Sequence, residues 1–173
     1  MKAKITHRAI LDLKGRGVDL EWYCPQLPPS PKEAMAMVSA YIEGQEFDEL
    51  SIIGSSLGGY YASYLAEQFS SKVTLLNPAI EPARDLEGYI GDLKAWHSGE
   101  AFHFKPEYIQ ELNDLYVQAI TNPQRYYLIA AKGDEVLDWQ EMVAKYPHAK
   151  QLVLEGGDHA ISNYLELLPT VLS

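Results

Sequence analysis

At 173 residues the chain is long enough for one domain that buries roughly two thirds of the surface its unfolded form would expose, and 47% hydrophobic with 22% charged residues is ordinary globular composition. A formal charge of −10, with basic residues scattered rather than striped, argues against a nucleic-acid partner, and five histidines with one cysteine at no ligand-like spacing argue against a metal site. No apolar run approaches the roughly 20 residues of a membrane span and the first residues carry no export signal, so no membrane partner and a cytoplasmic location are expected, with Cys24 as a small buried hydrophobe.

Residues 2–14 place Ile5, Ala9, Ile10 and Leu13 at helical spacing. Residues 19–24 are expected as a strand stopped by Pro25. Ser30 then caps a helix with Pro31 at its first position, Glu33 in its first turn and Gly44 past its end. Leu50-Ser51-Ile52-Ile53 forms the next strand, Gly54-Ser55-Ser56-Leu57-Gly58-Gly59 a sharp turn, and 60–68 a helix. Further strands are expected at 72–76, 125–131 and 151–155, with helices at 138–146 and 161–172. Strands alternating with helices predict an α/β fold, a mostly parallel sheet with helices on both faces, in a single domain over 1–173. The alternation breaks over 78–124, where no strand signal appears among Tyr89, Trp96, Phe102, Phe104, Tyr108 and Tyr116. That segment is either a helical cap over a pocket or a crossover helix near 106–120 with an elaborated surface loop.

The turn carries the chemistry. Ser56 lies at the centre of Gly-x-Ser-x-Gly between a strand and a helix, where small residues two places to either side relieve the crowding of a strained serine. A serine hydroxyl needs a histidine to take its proton, and the histidine needs a carboxylate to fix its tautomer. Ligand crevices of parallel sheets lie beyond the carboxyl ends of the strands, which selects Asp134 after the 125–131 strand and His159 after the 151–155 strand. His148 precedes its strand, His7 lies in a helix, and His97 and His103 fall in the insertion. Glu135, Asp138, Glu155 and Asp158 are the competing acids. The order Ser56, Asp134, His159 is that of the α/β-hydrolase fold, and the Leu57 backbone N–H would supply one oxyanion donor.

Pro25-Gln26-Leu27-Pro28-Pro29, Gly54 to Ala62, Asn77-Pro78-Ala79, Gly133 to Asp138 and Glu155 to Ala160 resemble the successive landmarks of the YqiA-like esterases, a bacterial group of small α/β-hydrolases. The resemblance runs from about Gly17 to the C-terminus. It implies an esterase, or a thioesterase on acyl-CoA, with Ser56 as nucleophile, Asp134 as acid and His159 as base, acting on a small acyl ester or thioester without a cofactor. The family's N-terminal strand and the His-Gly loop after it, source of a second oxyanion donor, have no counterpart here. The chain is therefore expected to be N-terminally truncated, either because Met1 is an internal start or because the sequence is a fragment, and to be weakly active or inactive by itself. Two repairs of the sheet are open: the strands around Leu20 and Ile52 close up directly, or a second molecule fills the gap and makes a homo-oligomer. The alternative function is a non-catalytic, hydrolase-like binding domain.

Overall fold

The computed structural model describes residues 1–94 and 101–173, so Trp96 and His97 lie outside the described residues. Two compact units emerge. The larger, Pro28–Ile161, holds every residue proposed for chemistry; the smaller combines Met1–Leu27 with Ser162–Ser173.

In the larger unit, helix α2 (Pro31–Glu43) starts as its sequence dictates: the Ser30 side chain accepts the Glu33 N–H at 3.2 Å. The Ser30 hydroxyl also donates to Glu111 Oε2 at 2.6 Å, tying the helix start to a distant segment. Strand β1 (Ser51–Ser55) runs directly into helix α3 (Leu57–Phe69), and strand β2 (Lys72–Leu76) follows. Strands β5 (Tyr126–Ala131) and β6 (Lys150–Leu154), with helix α6 (Trp139–Lys145) between them, complete a four-stranded sheet of order β1-β2-β5-β6. All three pairings are parallel, with Ser55 opposite Leu76, Leu76 opposite Ile129, and Ala131 opposite Leu154. The strands therefore end at one common edge.

The side-chain period of two explains the core. Val73, Leu75, Tyr126, Leu128 and Ala130 point to one face and pack with Ala62 and Ala66 of α3 and Met142 and Tyr146 near α6. The alternating residues Leu76, Ile129 and Ala131 are buried too, so the other face of the sheet centre is also covered. Burial pushes the Tyr126 and Tyr146 hydroxyls up, that of Tyr146 to about 12, and both stay protonated at neutral pH.

The 78–124 segment departs from expectation. It contains helix α4 (Pro82–Leu86), an antiparallel hairpin of β3 (Gly91–Lys94) and β4 (Ala101–Phe104), and helix α5 (Glu107–Asp114), which packs on α2 and α4. Four-residue strands are too short to show a period, which is why none was visible in the sequence. The helix expected over 106–120 stops early, at Asp114.

The smaller unit consists of helix α1 (Lys2–Gly15), an irregular stretch over 16–27, and helix α7 (Tyr164–Val171). Thr6 and Tyr164 join its two helices through a buried hydroxyl pair at 2.7 Å. The expected strand at 19–24 is not formed. A strand exists only through a partner, and among the described residues β1 pairs with β2 alone, so the strands do not close up as one repair supposed. Cys24 is correspondingly exposed rather than buried. The last helix begins at Tyr164 and not at residue 161, because Ile161 has φ 48°, outside helical geometry. No helix among the described residues is long and apolar enough to cross a membrane.

One half-buried carboxylate couples α3 to β5. Glu67 accepts from the Tyr126 hydroxyl at 2.6 Å and from the Thr121 hydroxyl at 2.6 Å, with Arg125 at 3.5 Å. Burial alone would push this carboxyl up; the hydrogen bonds from Thr121 and Tyr126 and the nearby Arg125 charge outweigh it and hold it below its ordinary value. A depressed folded-state value means the stabilisation is fully present above pH 4.5 and drains away as the pH falls below it. Glu67→Gln should therefore lose about 1–3 kcal/mol at pH 7 and show a flatter decline of stability with acid than the wild type in denaturant melts.

Candidate active site

The parallel register brings the ends of all four strands to one level, and the loops beyond them carry Ser56, Asn77, Asp134 and His159. Ser56 has φ 55° and ψ −124°, a conformation foreign to most L-residues. Its backbone is held on several sides. The N–H donates to Leu76 O at 3.0 Å, and the carbonyl accepts from Gly59 and Ala79 N–H at 2.9 and 3.0 Å. Ser56 also caps α3, which leaves Leu57 at the first helical position, where an N–H has no acceptor within its own helix.

The glycines flanking Ser56 are unequal. A Cβ on Gly54 would lie 2.2 Å from the Gly58 carbonyl oxygen and 2.7 Å from Ala62 Cβ, so any side chain there would push α3 off the sheet. A Cβ on Gly58 meets nothing within 4 Å; the second crowded position is Gly59, against Pro78. The expectation that both motif glycines relieve a clash of their own thus holds for Gly54 and fails for Gly58.

The three side chains selected from the sequence are brought together. His159 Nε2 lies 3.0 Å from Ser56 Oγ, and His159 Nδ1 lies 2.8 Å from Asp134 Oδ2 and 3.1 Å from Oδ1. With the carboxylate as acceptor, Nδ1 carries the proton and Nε2 is left to accept from the serine. The Asp134 carboxylate has no solvent-exposed surface, and Oδ1 additionally accepts the Val136 and Leu137 N–H groups, each at 2.8 Å. Its loop is pressed onto the His159 loop: a Cβ on Gly133 would fall 2.2 Å from the Gly157 carbonyl oxygen. Such a line of hydroxyl, imidazole and carboxylate can move a proton away from an attacking oxygen and return it to a leaving group.

The competing groups have other partners. Glu135 accepts the His159 backbone N–H at 2.9 Å, Asp138 caps α6 by accepting the Gln140 N–H at 2.8 Å, and Glu155 pairs with Lys132 at 2.8 Å. The Asp158 carbonyl accepts from Asn77 at 3.0 Å. Exposed His148 precedes β6, at the opposite sheet edge, and His7 stacks on Trp22. Of the cations Arg84, Lys105, Arg125 and Lys132, the two arginines and Lys132 each face a carboxylate, and Lys105 lies over the Tyr108 ring. Among the described residues no group of three His, Cys, Asp or Glu side chains is disposed to hold a metal. Asn77 entered the sequence reading only within the Asn77-Pro78-Ala79 landmark and with no role at the site, although an amide directly beyond an apolar strand at the crevice edge was a usable signal.

The parallel sheet flanked by helices, with this elbow between β1 and α3, defines an α/β-hydrolase fold, and solved structures agree. A hydrolase from Agrobacterium vitis S4, described as putative in its own naming, superimposes with TM-score 0.60 at 17% identity, over 83% of this chain and 69% of its own. Est1E from Butyrivibrio proteoclasticus, with ferulic acid bound, gives 0.59 at 18%, over 82% and 66%. Tomato methylketone synthase I, a variant complexed with β-ketoheptanoate, gives 0.68 at 12%, over 98% and 92%. At these identities the likeness is one of fold. Over residues 4–173 the sequence matches the model of the uncharacterised protein family UPF0227, and the chain belongs to that family, in keeping with its resemblance to the YqiA-like group.

The unequal glycines yield a direct check. Gly54→Ala should destabilise by about 3 kcal/mol or more as the helix is forced off the strand. Gly58→Ala should be neutral or stabilising by up to about 1 kcal/mol, because alanine favours the helix and meets open space. Thermal melts of the two variants check both.

Proposed function

We propose that the chain is a serine esterase of the carboxylic-ester hydrolase type, acting on a small acyl ester or thioester. The observation that carries this is the continuous hydrogen-bonded line from Ser56 Oγ through His159 to the buried Asp134 carboxylate, beside the free end of α3. In the first half-reaction Ser56 Oγ attacks the carbonyl carbon while His159 Nε2 takes its proton; Asp134 holds the resulting imidazolium. The Leu57 N–H receives the developing oxyanion. The alcohol or thiol then leaves with the proton from His159, and water, activated by the same nitrogen, hydrolyses the acyl-enzyme. An acceptor other than water would make the same intermediate an acyl donor. No step calls on a metal or an organic cofactor. The carboxylic acids held by Est1E and by the tomato synthase support a small acyl group as the ligand of such a crevice.

A second reading, a hydrolase-like binding domain, draws on the absence of a His-Gly pair from the sequence, which leaves Leu57 as the one named oxyanion donor.

An activated fluorophosphonate separates the two. The esterase should be labelled at Ser56, and Ser56→Ala should abolish both the label and hydrolysis of p-nitrophenyl acetate. Asp134→Asn should lower kcat by about 10⁴-fold through the wrong histidine tautomer. A folded wild-type chain that takes no label would instead support the binding domain.

A further inference from the structure

Asn77 is completely buried, has φ 42°, and sits one residue beyond β2 in the middle of the sheet edge. Its amide spans three segments. Oδ1 accepts the Ala131 N–H at 2.8 Å, at the end of β5, while Nδ2 donates to the carbonyls of Asp158 and His159 at 3.0 and 3.2 Å. The backbone continues the ladder, with the Asn77 N–H donating to Ile129 O at 2.9 Å. The two ends so joined are the roots of the acid and the base: the Asp134 N–H donates to the Ala131 carbonyl at 3.1 Å, and His159 is itself one of the bonded residues. On either side of Asn77, Leu76 O and Ala79 N–H grip the Ser56 backbone.

We propose that Asn77 is a positioning residue that sets His159 in register with Asp134 and Ser56, building on the esterase assignment. Packing alone does not require this side chain. A buried apolar residue would fill the volume, and glycine would adopt φ 42° with less strain. Only a primary amide both accepts from one strand end and donates twice to the loop opposite. The second grip on His159 is Glu135, which takes the backbone N–H of the residue whose carbonyl Asn77 holds. The imidazole thus hangs from a peptide fixed at both ends.

The test compares Asn77→Asp and Asn77→Gly with wild type in the full chain. Aspartate keeps the acceptor for Ala131 and loses both donors, facing two carbonyls with a carboxylate; glycine removes the amide but accepts the backbone conformation. Positioning predicts that both variants lose about 10- to 100-fold in kcat on p-nitrophenyl acetate with KM within twofold, and slow labelling of Ser56 to match. Both should also weaken the downfield proton resonance of the His159 Nδ1–H bonded to Asp134, a signal assigned by its loss in Asp134→Asn. An Asn77→Asp protein that melts at lower temperature yet keeps the wild-type resonance and labelling rate, measured well below its melting point, would reduce Asn77 to a structural role. In the wild-type chain the Asn77 side-chain amide protons should be protected from solvent exchange and shift when Ser56 is phosphonylated. Rapidly exchanging protons that do not shift would overturn the proposal even if neither variant folds. If the wild type hydrolyses no ester, the esterase assignment fails, while the resonance in the variants still decides the role of Asn77.

Discussion

Ser56 occupies a backbone conformation that costs a non-glycine residue about 1–3 kcal/mol, and it persists because the chain around it leaves no cheaper arrangement. Relaxing its φ would break the bond to the Leu76 carbonyl and those from Gly59 and Ala79 at the same time. The close approach of α3 to β1, possible because position 54 has no side chain, turns this local strain into a fixed direction for the Ser56 hydroxyl and for the first N–H of the helix. The elbow is thus a constraint shared by β1, α3 and the end of β2.

Parallel pairing does the rest. With strand ends in register, a loop needs few residues to bring its side chain to the common edge: Ser56 directly follows β1, Asp134 stands three residues past Ala131, and His159 five past Leu154. Short loops carry little conformational freedom, and here they are fastened further by the contact of Gly133 with Gly157 and by the amide of Asn77. The carboxylate that would orient the imidazole is removed from solvent and accepts two backbone N–H groups beside its contact with His159. Precise placement comes from backbone and amide hydrogen bonds more than from side-chain packing at the edge.

Much of this was legible in the residues. The Ser30 cap with Pro31 behind it marked the start of α2, the apolar run of residues 72–76 marked β2, and the rule that crevices form beyond strand ends pointed to Asp134 and His159, while leaving Glu135, Asp138, Glu155 and Asp158 as competing acids at the same edge. What escaped reading depended on partners. Residues 19–24 alternate well enough for a strand, but alternation cannot provide a neighbour to pair with. The β3–β4 hairpin pairs four residues with four, too few for a period to emerge. At Gly58 the motif suggested a clash that the geometry transfers to Gly59, one residue along the helix. Asn77 was obscured for a similar reason, since an asparagine before a proline reads as a turn until the end of β5 and the Asp158–His159 loop are seen to meet around it.

In the proposed esterase, one strained turn and two neighbouring loops form a single proton-transfer unit beside a helix terminus. A crystal structure of the protein after reaction with a fluorophosphonate tests it most directly. Phosphorus should be bonded to Ser56 Oγ, with a phosphonyl oxygen about 3 Å from the Leu57 nitrogen and the His159 ring still bonded to Asp134. An adduct on another residue, or one at Ser56 with its oxygen turned away from Leu57 and the imidazole parted from the carboxylate, would contradict it.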